Sequence, residues 1–467
     1  MPQRPPIEHV VVLMMENACL DRMLGCFAPL RPGLEGVDPD HPHTNPDGRG
    51  NTIAQRQTTS RNITCDPRHF ISNSLAQYAS GTNQGFVSDF VNTHPSSTPD
   101  ERSEVMGWYP HGFLPALHML SDQFVICDHW FSSMPGPTWI NRLFAHSGTS
   151  LGAVDEPGGT FSSQFHIYDE RTLYDELGAN DVSWRIYFGD VPQSLVMTHQ
   201  LLHLNHYRHQ TYFAEDVAKG DLPAYTFIEP TYFGPHKNDQ HPPDDIMLGD
   251  ALIAEVYNAL LANPALFART LLIVLYDEHG GYFDHVIPPP AVPPDNHTKN
   301  FAFDMLGFRV PAILVSPLLD PGLNQTVLDH TSLLRMAANL WPGVQPLRAR
   351  AAAANDPLAG LAWRDTPRTD LPIASIATDM QSPWNLPQLG GFKASLFGMS
   401  HHLERLIEHH GTREGLMHRA HEGLGDAMDQ GLLATDRFAA LHAERAAHGL
   451  TDWIATAVQR LRRTVGL

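Results

Sequence analysis

The sixteen residues LLIVLYDEHGGYFDHV, Leu271 to Val286, constrain this chain more than any others. The apolar, β-branched run from Leu271 to Tyr276 predicts a strand buried on both faces. That strand then delivers Asp277, Glu278 and His279, a Gly280-Gly281 pair, and Asp284-His285. Two adjacent carboxylates at the mouth of a buried strand are costly unless a positive charge sits against them. A bound metal ion is the most economical counter-charge, and hydrolysis of a phosphate ester is the chemistry it suggests.

Runs of the same kind at His9–Met15, Ser183–Phe188, Tyr225–Ile228 and Ala312–Val315 also read as parallel, doubly buried strands. Helical patterns lie between them, among others at Asp250–Ala262 and Thr331–Leu340. Alternating strands and helices predict an α/β sheet covered on both faces, with ligands beyond the carboxyl ends of the strands. Glu16-Asn17, Glu229 and Asp277-Glu278 fall at such ends. Arg31 to Arg68 and Pro288 to Asn300 read as long irregular insertions. From Phe392 the chain turns rich in Ala, Leu, His, Glu and Arg. This divides it into a catalytic domain, 1–391, and a helical C-terminal appendage, 392–467.

The charge balance excludes one class of partner. With 31 basic and 51 acidic residues the formal charge is −20, whereas nucleic-acid binding needs clustered Lys and Arg. The 28 histidines make the net charge change steeply between about pH 5 and 7. The four cysteines show no metal-type spacing and read as free thiols. No stretch reaches the roughly 20 apolar residues of a membrane helix. The N-terminal apolar run is too short for a signal peptide, so the expectation is a cytoplasmic chain or one exported by a non-classical route.

Oxygen donors at Glu16, Asn17, Asp277 and Glu278 suit Ca²⁺, Mg²⁺ or Mn²⁺, and Zn²⁺ also takes carboxylates. For Glu16-Asn17 the plain alternative is capping of the next helix. In SSMPGPTWINRLFAHSGTS, Thr138 opens a helical pattern after a Pro-Gly-Pro turn. It is either an ordinary N-cap or a metal-activated nucleophile at the positive end of a helix. Asn141 and Arg142, one turn on, are placed to hold phosphoryl oxygens. Among the histidines, His69, His209, His241 and His285 stand in special contexts. Trp108-Tyr109, Trp130-Phe131, Trp139 and Tyr232-Phe233 are candidates for an apolar rim facing a lipid surface.

Four ordered blocks carry a family resemblance. ENACLDRMLG (Glu16 to Gly25) matches a family block ENRSFDHMLG, and TWINR (Thr138 to Arg142) matches T-x-P-N-R. DEHGGYFDHV (Asp277 to Val286) matches DEHGGFYDHV, and GFRVP (Gly307 to Pro311) matches G-x-R-V-P. LPAYTFIEPTYF and FVICDHWFSS are also similar. The chain thus resembles the phosphoesterase family of bacterial and plant non-specific, phosphatidylcholine-type phospholipases C and related acid phosphatases, in the alkaline phosphatase-like superfamily, from about Ile7 to Pro342.

The resemblance implies a three-layer α/β/α sandwich with long loop insertions. It implies one divalent metal ion on Glu16, Asn17, Asp277 and Glu278, with Thr138 as fifth ligand and nucleophile. His69, His209 and His241 are placed around the phosphate, His241 as acid for the departing diacylglycerol, and His285 in support. The expected partner is a phospholipid or another phosphate ester, with peripheral membrane contact and no nucleic acid. Alternatives are a broad acid phosphatase and a catalytically inactive lipid-binding protein. Cys19-Leu20-Asp21-Arg22 replaces the family's Ser-Phe-Asp-His, and Ile140 its Pro. These departures alter the rim, and so bear on substrate preference more than on chemistry.

Overall fold

The computed structural model describes residues 6–155, 168–190, 192–197, 199–200, 203–232 and 237–380. The expected appendage, 392–467, lies outside them. Their main sheet has eight strands: β1 (His9–Met15), β2 (Val125–Cys127), β3 (Trp184–Phe188), β4 (Tyr207–His209), β5 (Tyr225–Glu229), β6 (Thr270–Tyr276), β7 (Ala312–Val315) and β8 (Gly322–Asn324). Their order is β8-β2-β7-β6-β1-β5-β3-β4. The two most apolar strands, β1 and β6, are neighbours at the centre, where each is covered on both faces.

Register matters most at this central pair. Met15 pairs with Tyr276 in parallel, so Glu16 and Asp277 leave the sheet side by side. Strands β5, β3 and β4 continue in the same direction. The expectation that Ala312–Val315 is also parallel is corrected, because β7 runs antiparallel to both β6 and β2. A parallel return needs a crossover, usually helical, whereas 277–311 contains no helix and the chain simply turns back. Strands β2, β4 and β8 have three residues each, too few for a periodic signal in the sequence.

Helices Pro115–Gln123, Phe213–Lys219 and Ile246–Leu261 pack into one layer, and Thr138–Ser147, Leu173–Ala179 and Thr331–Leu340 into another. The helix expected from Asp250 begins at Ile246, capped by Asp245, which accepts from Met247 N at 3.1 Å. Asp250 lies inside that helix and caps a different one, accepting from Ala116 N and Leu117 N at 2.9 Å. Burial pushes its carboxyl up to about 6, against those two bonds.

The insertion from Arg31 is not wholly irregular: Thr44–Pro46 and Thr52–Ala54 form an antiparallel pair, and Arg56–Gln57 pairs with Gly107–Trp108. No helix among the described residues is long and apolar enough to cross a membrane. The four cysteines are free, three of them buried.

Candidate active site

Glu16 and Asn17 follow β1 into a sharp turn. Asn17 has φ +58, and it caps nothing: the next helix, Leu20–Leu24, has Cys19 at its N-cap and no side-chain cap. A non-glycine residue in the left-handed region is held there by its neighbours. Asn17 N donates to Asp277 Oδ1 at 3.2 Å, and Ala18 N to Glu278 O at 3.0 Å. The Gly280-Gly281 pair makes this close approach feasible. Both have positive φ, and a Cβ on Gly280 would lie 2.3 Å from Asn17 O.

Thr138 approaches from the helix Thr138–Ser147. The N-cap there is Pro137, so Thr138 is the first helical residue and does not cap its own helix. Its hydroxyl instead donates to Asn17 Oδ1 at 3.5 Å. Asn141 and Arg142 depart from expectation. Asn141 closes the turn before Thr138, its Nδ2 donating to Gly136 O at 2.9 Å and its Oδ1 accepting from Met134 N at 3.1 Å. Arg142, with no exposed side chain, reaches Asp277 Oδ2 at 3.0 Å and Glu16 Oε1 at 3.6 Å. Both side chains are spent on the protein, one fixing the nucleophile's backbone and the other the carboxylates.

Glu16, Asn17, Asp277, Glu278 and Thr138 are all buried together. Glu16, Asp277 and Glu278 carry three formal negative charges against the one positive charge of Arg142. Two negative charges in a buried cage of hard oxygen donors match one divalent cation. Glu278 gives a second indication. Its Oε1 is buried without a hydrogen bond, 3.7 Å from His69 Nε2. Burial, followed by the Asp277 charge, pushes its carboxyl up to about 8 although His69 opposes this. The residues present fit a divalent metal.

A second group of ligand-type atoms, on Asp21, Asp284 and His285, also converges. Arg309 satisfies it, bonding Asp284 at 2.8 Å and Asp21 at 3.0 Å, while His285 Nδ1 bonds Asp21 at 2.8 Å. This is a closed ion-pair network.

Two histidines are anchored in the same manner. His69 Nδ1 donates to Pro67 O at 3.0 Å, and His241 Nδ1 to Pro242 O at 2.6 Å. With Nδ1 so engaged, Nε2 is the nitrogen each ring turns away from that carbonyl. His69 Nε2 lies 3.4 Å from Asn17 Nδ2, and His241 Nε2 4.0 Å from Asp66 Oδ2, with the two rings 5.9 Å apart. His209 ends β4, three strands from β1, with Nδ1 on Thr211 Oγ1 at 2.8 Å and its ring against Phe188. It makes no hydrogen bond to the other candidates among the described residues.

Sequence reasoning missed His330. This buried side chain accepts from Trp130 Nε1 at 3.3 Å and donates to Asp277 O at 2.6 Å, which fixes the backbone between the two carboxylates. Burial lowers its pKa. Its partners lie 53 and 200 residues away, so no local spacing could announce it. Glu229 is likewise tied down, accepting from Gln193 N and Ser194 Oγ at 2.7 Å. The expected aromatic rim is corrected too. Tyr109, Trp130, Phe131, Trp139 and Tyr232 are buried in the core, only Trp108 is half-buried, and Phe233 lies outside the described residues. Large rings contribute most when enclosed, and the strand ends supply the space.

The pattern of the Phosphoesterase family matches residues 7–342. The chain is 33% identical to non-specific phospholipase C3 of Arabidopsis thaliana, over 79% of this chain and 76% of that one. It is 35% identical to non-specific phospholipase C6 of the same plant, over 79% and 74%. With phospholipase C B of Mycobacterium tuberculosis it shares 29% identity over 78% and 77%. Among solved structures, the lipoteichoic acid synthase LtaP from Listeria monocytogenes is similar at 10% identity and TM-score 0.37, covering 75% of each chain. A protein in the alkaline phosphatase superfamily from Vibrio parahaemolyticus is similar at 11% identity and TM-score 0.31, covering 52% of this chain and 64% of that one. The chain belongs to the Phosphoesterase family and is a hydrolase acting on phosphate esters.

Proposed function

We propose that this chain is a phospholipase C-type phosphodiester hydrolase that works through a phosphothreonine on Thr138. The observation that carries the reading is the Thr138 hydroxyl itself. It leaves its own helix uncapped and points to Asn17 Oδ1, beside three buried carboxylates, at the helix end that favours anions. Relatives named as phospholipases C, matched over most of their length, support lipid as substrate.

In the first half-reaction Thr138 Oγ1 gives up its proton to solvent and bonds to phosphorus as the bond to the diacylglycerol oxygen breaks. His241 Nε2, 4.0 Å from Asp66 Oδ2, gives that oxygen its proton. Water, giving one proton back to His241, then attacks phosphorus; the bond to Thr138 Oγ1 breaks, the phosphorylated headgroup leaves, and the threonine oxygen takes its proton from solvent. His69 Nε2 holds the Asn17 amide so that Asn17 Oδ1 faces Thr138. A divalent ion on Glu16, Asn17, Asp277 and Glu278 would supply charge neutralisation at the phosphoryl oxygens and lower the pKa of the threonine hydroxyl. Lipid substrate also brings the chain to a membrane surface.

The test is Thr138→Ala, assayed with metal on short-chain phospholipids and on p-nitrophenyl phosphate, alongside acid-quench mass spectrometry of the wild type. Expected are a loss of about 10³-fold or more and a phosphorylated peptide containing Thr138. Full activity in Thr138→Ala defeats the mechanism. Cleavage of p-nitrophenyl phosphate without cleavage of any phospholipid makes the chain an acid phosphatase instead.

A further inference from the structure

The helix Ile71–Tyr78 begins two residues after His69, and it carries a buried amide that the mechanism does not use. Gln77 is 1% exposed, with both ends of its side chain engaged. Nε2 donates to Arg68 O at 2.7 Å and to Asp89 Oδ2 at 2.9 Å. Oε1 lies 2.7 Å from His279 Nε2. A carbonyl can only accept, so Arg68 O fixes which way the amide faces, and His279 Nε2 is the donor to Oε1.

Two parts of the active site meet at this amide. On one side, His279 Nδ1 lies 3.3 Å from Glu278 Oε2, which also accepts from Gly280 N at 2.8 Å. The His279 ring is buried, packed against Phe308 with centres 4.4 Å apart and edge-on to Phe86 at 5.9 Å. On the other side, Arg68 O is the carbonyl that precedes His69, and Ser74 Oγ of the same helix donates to His69 O at 3.2 Å. The helix thus holds the backbone on both sides of His69.

The path closes on itself. It runs from Glu278 Oε2 through His279 and Gln77 to the Arg68–His69 backbone, and His69 Nε2 returns to 3.7 Å from Glu278 Oε1. Little slack remains in it, since a Cβ on Gly281 would lie 2.9 Å from Arg68 O.

We propose that Gln77 is a positioning residue, which sets the separation between Glu278 and His69 by holding His279 and the Arg68 carbonyl with one amide. The proposal rests on the reading of Glu278 as a metal ligand and of His69 as the residue that orients Asn17. The plainer role, satisfying the buried Asp89, is shared with Asn73, whose Nδ2 donates to Asp89 Oδ1 at 2.9 Å. Asn73 makes no hydrogen bond to His279 or Arg68 among the described residues, so Asn73→Ala is the matched comparison.

The test measures kcat and KM on p-nitrophenyl phosphate and dihexanoyl phosphatidylcholine, and Mn²⁺ affinity of the metal-free protein by calorimetry. Gln77→Met should lower kcat about 30-fold with KM within about twofold, and weaken Mn²⁺ binding about tenfold. Gln77→Asn keeps the amide one methylene short and should lower kcat about tenfold; it decides alone if Gln77→Met does not fold. Asn73→Ala should stay within about twofold of wild type in kcat and Mn²⁺ affinity, whatever its melting temperature.

A kcat loss in the folded Gln77 variants no larger than in Asn73→Ala overturns the proposal, as does a loss confined to KM or an unchanged Mn²⁺ affinity. If wild type binds no Mn²⁺, that reading of Glu278 has failed for this ion and the kcat comparison decides Gln77. If wild type cleaves neither ester, the Thr138 mechanism has failed and Mn²⁺ affinity decides. A wild type that does neither overturns both.

Discussion

Arg142→Met replaces the one guanidinium inside the cage with an apolar side chain of similar length. The wild-type side chain is wholly enclosed and touches Asp277 at 3.0 Å and Glu16 at 3.6 Å. Burial lowers an arginine's pKa, yet Tyr232, Asp277 and Glu16 together raise that of Arg142, so its charge is permanent. Removing one partner of a buried pair costs about 3–5 kcal/mol, because the other charge remains buried and uncompensated. Unfolding entropy of about 2.1 cal/mol/K per residue, over 467 residues, gives roughly 1 kcal/mol per degree. The variant should therefore melt roughly 3–5 °C lower in chelator. With a divalent ion the deficit should be about half that or less, since the ion compensates the exposed carboxylate charge. The assay is thermal unfolding by circular dichroism in EDTA and in saturating Mg²⁺, Ca²⁺, Mn²⁺ or Zn²⁺. A shift below about 1 °C in EDTA, or an equal deficit with and without every metal, refutes the charge count on which the divalent site stands.

Other expectations follow from the same geometry. Gly280→Ala places a methyl carbon 2.3 Å from Asn17 O at a φ of +66. It should cost about 2 kcal/mol or more in stability and displace Asn17, so activity should fall further than melting temperature. A soluble variant with normal kcat would refute this. At His285, burial lowers the pKa, but the Asp21 carboxylate outweighs burial and holds it above its ordinary value. A raised histidine pKa contributes stability that is complete below about pH 6.5 and fades as pH rises through the folded value. The melting gap between wild type and His285→Gln should thus be wider at pH 6 than at pH 9, and a gap that widens with pH would contradict the assignment. Burial drives His118 down to about 4, against its bond to Met23 O. It must be charged on unfolding, so it weakens the fold as pH falls from about 6.5 towards 4. His118→Gln should lose less melting temperature than wild type across that window.

What could be read from the sequence was whatever is written locally. Adjacent carboxylates after an all-apolar strand mark a strand end whose burial needs compensation, and the strand-end rule brings Glu16 and Asn17 to the same edge. The Gly280-Gly281 pair stands plainly in the sequence, although what it makes room for is visible only in three dimensions: Gly280 clears Asn17 O, 263 residues earlier, and Gly281 clears Pro67. Long-range packing was hidden. Arg142 reads as a phosphate ligand until its neighbours are known, and then it is a counter-ion. The direction of β7 was missed because an apolar run looks the same in either orientation, and only the missing helix in 277–311 decides it. The aromatic pairs looked like a rim because sequence gives hydrophobicity without depth.

These differences separate two parts of the site with different tolerance to change. The cage is held largely by backbone donors, with Asn17 N and Glu278 N on Asp277 and Gly280 N on Glu278, and by the His330 imidazole, whose Nε2 donates to Asp277 O. Backbone donors are indifferent to neighbouring side-chain identity, so the ligand turn can keep its shape while the residues around it vary. Beside it a small pocket is lined in part by the side chains of Ala18, Arg22, Tyr109 and Tyr282, where a replacement changes charge, volume or a hydroxyl. Substitutions at Arg22 and Tyr282 should therefore leave the metal-induced rise in melting temperature within about 1 °C of wild type. A variant of that pocket whose metal-induced rise in melting temperature departs from wild type as far as that of Arg142→Met would show that the two parts are one cooperative unit and that this division is wrong.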